Sequence, residues 1–142
     1  MILIVTNRQD YTADFLILEL QRRQAPYIRF NTEDFPQHVQ VVWRLDSGGL
    51  DGRLVFANQQ VGFRDISSVW YRRPVAPVSS PGIEDPAARE FAEAESLSAL
   101  DGVWRTLDCF WVSDPDFLRR AELKLYQLKV ASLLGFVLSP TL

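Results

Sequence analysis

One cysteine, Cys109, and one histidine, His38, are all the thiol and imidazole chemistry these 142 residues hold. A single thiol closes no internal disulfide and builds no thiolate metal cluster, and a single imidazole excludes a His-rich metal site. His38 stands beside Pro36 with no Ser, Cys or carboxylate pattern, so it offers no catalytic triad and reads as a surface residue. Glycine is sparse: the seven glycines (48, 49, 52, 62, 82, 102, 135) match no Gly-x-x-x-x-Gly-Lys phosphate loop. No apolar run approaches the roughly 20 residues of a membrane span. Met1 is followed at once by Ile-Leu-Ile-Val, without the basic region of a signal peptide. Neither internal repeats nor low-complexity segments occur. The 15 basic and 18 acidic residues give a net charge of −3, with no basic stripe interleaved with aromatics. That balance argues against a nucleic-acid partner. The expectation is a soluble cytoplasmic protein with no membrane association.

What is present suits one folded domain: 47% of the residues are apolar and 12% aromatic, enough for a core and too apolar for disorder. Residues 2–6 are an unbroken apolar run, as in a strand buried on both faces. A helix is expected over 12–24, capped by Asp10 or Thr12, with Ala13, Leu16, Ile17 and Leu20 on one face. Pro26 ends it and 27–31 reads as a second strand, completing a βαβ unit. Strand-like runs at 39–46 and 54–58 flank the glycine-rich stretch 47–52, which predicts a β-hairpin. Another strand is expected over 66–71, then a proline-rich loop over 77–86.

Pro86 suits the first turn of a long helix. Phe91, Ala94, Leu97, Leu100, Trp104 and Leu107 keep helical spacing along one face. Residues 110–112 read as a short strand, and a last helix is expected over 120–134, ended by a left-handed cap at Gly135. Phe136-Val137-Leu138 then reads as the start of a further strand. A chain stopping soon after such a strand leads us to expect a continuation beyond Leu142. The fold class is therefore α/β: a mostly parallel, Rossmann-like sheet, flanking helices, and an inserted or edge β-hairpin.

Four segments carry a family resemblance. They are Ile4-Val5-Thr6-Asn7 through Asp14; Phe30-Asn31-Thr32-Glu33-Asp34-Phe35-Pro36; Val69-Trp70-Tyr71-Arg72-Arg73-Pro74; and Ala121 through Leu128 with Ala131, Leu134-Gly135-Phe136 and Pro140-Thr141-Leu142. Together they resemble the N-terminal, pre-ATP-grasp part of graspetide (microviridin-type) ligases over essentially the whole chain. The Lys-x-x-Gln-Leu…Gly-Phe…Pro-x-Thr pattern is shared by ATP-grasp enzymes more broadly, at the junction with their nucleotide-binding domains.

The resemblance implies a pre-ATP-grasp domain over 1–120, with 121–142 as the junction helix and the start of ATP-grasp domains not in this chain. It implies a parent that activates a carboxylate with ATP and captures the acyl phosphate with a hydroxyl or amine, macrocyclising a precursor peptide through ester or amide links. ATP and Mg²⁺ would be the parent's, held between its other domains; this chain alone would hold no cofactor and have no activity. Its partners would be those domains and the precursor peptide.

Candidate site residues follow from position. Arg72 and Arg73 come at the end of a buried strand, where open α/β sheets gather ligands, and a guanidinium grips a carboxylate or phosphate with two hydrogen bonds. The plainer reading is a surface ion pair. Asn7 and Arg8 follow strand one at the same edge and face the cleft or simply satisfy the turn. Asn31, Thr32, Glu33 and Asp34 follow strand two; the two carboxylates serve as acid or base, or the segment simply caps and turns the chain. By the resemblance Lys124 approaches the nucleotide; by its own position it is a lysine on a polar helix face. No catalytic or metal-ligating residue is assigned. Trp43, Trp70, Trp104 and Trp111 read as packing, and Cys109 as a small buried hydrophobe.

A second reading, from another class, is a non-catalytic module that binds a peptide or a second copy of itself through the 39–58 hairpin edge. A receiver-like or flavodoxin-like domain fits less well. Strand one ends in Thr6-Asn7-Arg8, without the acidic cluster of the former or the glycine loop of the latter.

Overall fold

In the computed structural model, which describes residues 1–140, strand β1 (Ile2–Thr6) lies between β2 (Tyr27–Asn31) and β6 (Ser68–Tyr71). Both neighbours are parallel to it, with Val5 level with Phe30 on one side and Tyr71 on the other. Flanking strands and two covered faces explain why Leu3, Ile4, Val5 and Thr6 are all fully buried, as their unbroken apolar run predicts. Strand β7 (Phe110–Val112) joins the far side of β6, giving the parallel order β2-β1-β6-β7. Helix α1 (Tyr11–Arg22) covers one face, burying Ala13 and Leu20 against Ile4. It starts one residue earlier than its apolar stripe suggests, because Asp10 rather than Thr12 is the cap.

The opposite face holds the larger core: Leu3, Val5, Ile28, Phe30 and Val69 pack under Leu100, Val103, Trp104 and Leu107. The last four come from helix α2 (Pro86–Thr106) and its C-cap; Asp85 caps its start and Pro86 opens its first turn. Trp104 stands edge-on to Phe30 with ring centres 5.3 Å apart. Only the C-terminal half of that apolar face is buried: Phe91 is 68% exposed and Leu97 48%. A helix of 21 residues is roughly 30 Å long, and the strands of the parallel sheet, five residues at most, reach only about 17 Å. Its first half therefore projects beyond the sheet.

The second sheet is antiparallel, with order β3 (Gln40–Asp46), β4 (Gly49–Val55), β5 (Gln60–Gly62). The hairpin is tighter than expected. Asp46 pairs with Gly49, so only Ser47 and Gly48 form the turn, and Gly49 takes φ +98°. Gly52 is not a turn glycine but sits in β4 opposite Trp43, where a Cβ would run into the Phe63 ring. Strand β5 was not anticipated; three residues are too few to show alternation. Leu54 and Val61 anchor this sheet in the core.

These elements form one compact unit, Met1–Val112; a second unit starts at Ser113. There the single helix expected over 120–134 is two: α3 (Pro115–Glu122), capped by Asp114, and α4 (Lys124–Leu133). Leu123 between them is extended. Gly135 makes the expected left-handed cap at φ +83°, with Phe136 N–H bonded to Ala131 O and Gly135 N–H to Ser132 O. The strand expected at 136–138 is not formed: Phe136 gives its N–H to that cap, and Val137 is fully exposed. Among the described residues no helix is long and apolar enough to cross a membrane.

Candidate functional site: the carboxyl edge of the parallel sheet

Because β1, β2 and β6 run the same way, the residues that leave them meet on one edge. Arg72 extends the ladder past β6, its N–H donating to Val5 O at 2.8 Å. Its Nε then lies 3.1 Å from Oδ2 of buried Asp10, its terminal nitrogen donates to Thr12 Oγ1 at 3.0 Å, and the guanidinium lies over the Trp70 ring. Asp10 also accepts from the Thr6 hydroxyl at 2.8 Å and from the first N–H groups of α1. Burial pushes the Asp10 carboxyl up, but the Thr6 hydroxyl, the Ala13 N–H and Arg72 outweigh it and hold the carboxyl below its ordinary value. Arg72 is thus half-buried and paired within the domain through its Nε and one terminal nitrogen.

Asn7 bridges the same loops: Nδ2 donates to Arg73 O at 2.6 Å, Oδ1 accepts from Gln9 N–H at 2.9 Å, and its carbonyl accepts from Arg29 at 2.6 Å. Arg8 pairs with Asp34, and its N–H donates to Glu33 Oε1 at 2.7 Å. Asn31 donates to Asp34 at 3.0 Å. Thr32 is buried and locks Val75, accepting its N–H at 2.8 Å and donating to its carbonyl at 2.7 Å. The acidic loop after β2 therefore pairs locally and turns the chain. One of its oxygens, Oε2 of Glu33, is buried without a partner among the described residues.

Arg73 differs from all of these. Its side chain is exposed and makes no hydrogen bond or ion pair within the described residues. Its backbone is left-handed at φ +47°, a conformation disfavoured for a residue with a Cβ. Asn7, gripping the Arg73 carbonyl, holds it there.

The four candidates Asn7, Arg8, Arg72 and Arg73 are thus brought together on one edge. Lys124 belongs to the second unit, where it is exposed at the start of α4 with Nζ 3.5 Å from Gln127 Oε1. His38 is exposed after the Thr32–Asp34 turn. Cys109 packs against the core, and burial, then Asp108, pushes its thiol up, which suits an inert residue. Asp10 is what sequence reasoning undervalued. It was visible as a cap, but its pairing with Arg72 spans 62 residues and leaves no local pattern.

An open parallel α/β sheet flanked by helices, with a polar cluster at its carboxyl edge, defines a Rossmann-like domain. The chain belongs to the MvdD pre-ATP grasp domain family, which it matches over residues 1–119. It is similar to the macrocyclase MdnB from Microcystis aeruginosa MRC, with 29% identity, TM-score 0.88 and coverage of 99% of this chain and 46% of that one. It is also similar to the macrocyclase MdnC of the same organism, bound with precursor peptide MdnA: 27% identity, TM-score 0.90, 99% and 46% covered. A third likeness is a Chryseobacterium gregarium RiPP-associated ATP-grasp ligase in complex with ADP and a leader and core peptide: 27% identity, TM-score 0.86, 98% and 42% covered. The chain spans less than half the length of each. No curated protein matches it.

Proposed function

We propose that this chain is the N-terminal domain of an ATP-dependent ligase that macrocyclises a ribosomal precursor peptide. Residues 1–120 form one wall of the peptide cleft, and 121–142 lead into the ATP-grasp domains, with Lys124 on the nucleotide side. The parent activates an acidic side chain with ATP, through an acyl phosphate, and passes the acyl group to a hydroxyl or amine. ATP and Mg²⁺ belong to the remaining domains. In this reading the 142 residues alone make no bond, and their share is the peptide-facing wall. The setting is cytoplasmic.

What supports this reading is the family match over residues 1–119 together with the likeness to ligases whose structures hold precursor or leader and core peptides. The observation that carries the site is Arg73, the one of the four candidates whose side chain is unengaged. An exposed guanidinium in a fixed backbone grips a peptide carboxylate with two parallel hydrogen bonds. Arg8 and Asn7 hold the loop around it.

The test is steady-state kinetics of the complete ligase on its precursor peptide. Arg73→Ala is expected to lower kcat/KM roughly tenfold to a hundredfold, with Arg73→Lys intermediate. Undiminished turnover in Arg73→Ala would remove the gripping role. A thermal melt of the 142-residue chain tests the division of labour: Mg-ATP should leave it unmoved, and a clear upward shift would place a nucleotide site in this chain.

A further inference from the structure

Two rows of side chains cross the α1 side of the parallel sheet. The register sets Ile4, Trp70 and Val112 level with one another in one row, and Ile2, Ser68 and Phe110 in the other. Both rows share a face, because Val69 and Trp111 between them pack into the larger core on the opposite side. Burial falls along each row. Ile4, under α1, has no exposed surface, Trp70 is half-buried and Val112 is 44% exposed. Phe110, at the end of the other row, is 70% exposed.

The connectivity explains the bare half. Strand β1 reaches β2 through α1, and β6 reaches β7 through α2, moving in opposite directions along the sheet. Right-handed crossovers in opposite directions put their helices on opposite faces, so α2 is delivered away from this side. Helix α1 lies over β1, and β7 is two strands further on, about 10 Å at the usual strand spacing. Helices packed side by side stand about 8–10 Å apart. A berth one helix wide is therefore left beside α1. It is a trough of about 320 Å³, floored by Trp70, Phe110 and Val112 and walled by Leu16 and Leu20. Parallel sheets are ordinarily covered on both faces. Among the described residues of Met1–Val112 the α-helices are α1 and α2, and both are placed elsewhere.

We propose, resting on the reading that this chain is one domain of a longer ligase, that the berth is filled by an apolar helix face from the part of the parent beyond these residues. The three relatives match 98–99% of this chain, which spans only 42–46% of them, so more than half of each lies outside it. The chemistry of the trough fits a permanent neighbour. No charged side chain lines it, and Ser68 brings its one hydroxyl. The cores of lasting interfaces are depleted of charge, and a segment tethered to the same chain is always at hand. A small solute would need convergent polar groups to orient it, which a single hydroxyl does not supply.

The test is alkylation by iodoacetamide of Phe110→Cys in a Cys109→Ser background, read by mass spectrometry of the peptide that holds the thiol. In the 142-residue chain this thiol should react as fast as that of Asn58→Cys, an exposed site in the turn before β5, at every protein concentration. In the complete ligase without precursor peptide it should react at least roughly tenfold more slowly, since a thiol under packed side chains is reached only through local opening. Phe110→Lys should leave the melting temperature of the 142-residue chain unchanged and lower that of the complete ligase, where the ammonium would be buried without a partner. Equal labelling rates in chain and ligase overturn the proposal. So does slow labelling that appears in the 142-residue chain as its concentration rises, the mark of a second copy. Protection of the ligase only after precursor peptide is added, the mark of a peptide site, overturns it too. Ligation of the precursor is assayed on the same samples. Protection without ligation refutes the ligase reading and leaves the covered face standing, and ligation without protection does the reverse.

Discussion

Nε of Arg72 and Oδ2 of Asp10, 3.1 Å apart, join the end of β6 to the start of α1. One buried carboxylate thereby caps a helix, receives the Thr6 hydroxyl from β1 and neutralises a guanidinium from β6. That one group ties three elements together at the carboxyl edge of the sheet.

Asp10 should make stability depend on acid. Its carboxyl is held below the ordinary value of about 3.9, so the charged form is favoured by folding. The contribution is complete above that value and is lost as pH falls through the lower, folded-state one. Asp10→Asn keeps a capping oxygen without the charge. Its deficit in unfolding free energy, about 1–2 kcal/mol at neutral pH, should shrink toward zero once pH falls below the folded-state value. Denaturant titrations across pH check this; a deficit that persists undiminished into strong acid would show that charge is not the cause.

The adjacent arginines should separate stability from recognition. Arg72→Ala leaves Asp10 buried without its cation and should cost about 2 kcal/mol. Arg73→Ala should cost nothing measurable. Arg73→Gly should stabilise by about 1 kcal/mol, because glycine adopts the left-handed backbone freely. Paired thermal melts decide it, and equal losses from the two alanine variants would refute the division.

Gly52 should tolerate no side chain. Its missing Cβ is the space the Phe63 ring fills, so Gly52→Ala should destabilise by about 1–3 kcal/mol. Adding Phe63→Leu should recover part of that loss, a positive coupling that a double-mutant cycle measures directly.

The two halves of α2 should respond oppositely. Trp104→Ala empties the space over Phe30 and should cost about 3–5 kcal/mol. Phe91→Ser, on the projecting half, should be within about 0.5 kcal/mol of neutral.

The parts legible in the sequence were those encoded locally. The run 2–6 announced a doubly covered strand, Pro86 a helix start, and Gly135 a left-handed cap, since each is set by neighbouring residues alone. Where a residue answers to something distant, local reading erred. Gly52 looked like a turn and is a cross-strand clearance for Phe63. Phe91 and Leu97 keep core spacing, but the strands beneath are too short to cover them. At the candidate site the sequence located Asn7, Arg8, Arg72 and Arg73 through a topological rule. It did not distinguish Arg72 from Arg73, because Asp10 and Thr12, which engage only the former, lie some 60 residues away.

The proline-rich stretch after β6 has no helix or strand, yet it is stitched down. Thr32 clasps both polar groups of Val75, Gln37 donates to the carbonyls of Val78 and Ser79, and Glu93 takes the Ser79 N–H and hydroxyl. A threonine hydroxyl here replaces a neighbouring strand. The amide protons of Val75 and Ser79 should therefore exchange with deuterated solvent as slowly as those of the sheet beside them, and Thr32→Val should release Val75 first. The segment that the sequence marks only as a loop is in mechanical terms a rigid brace.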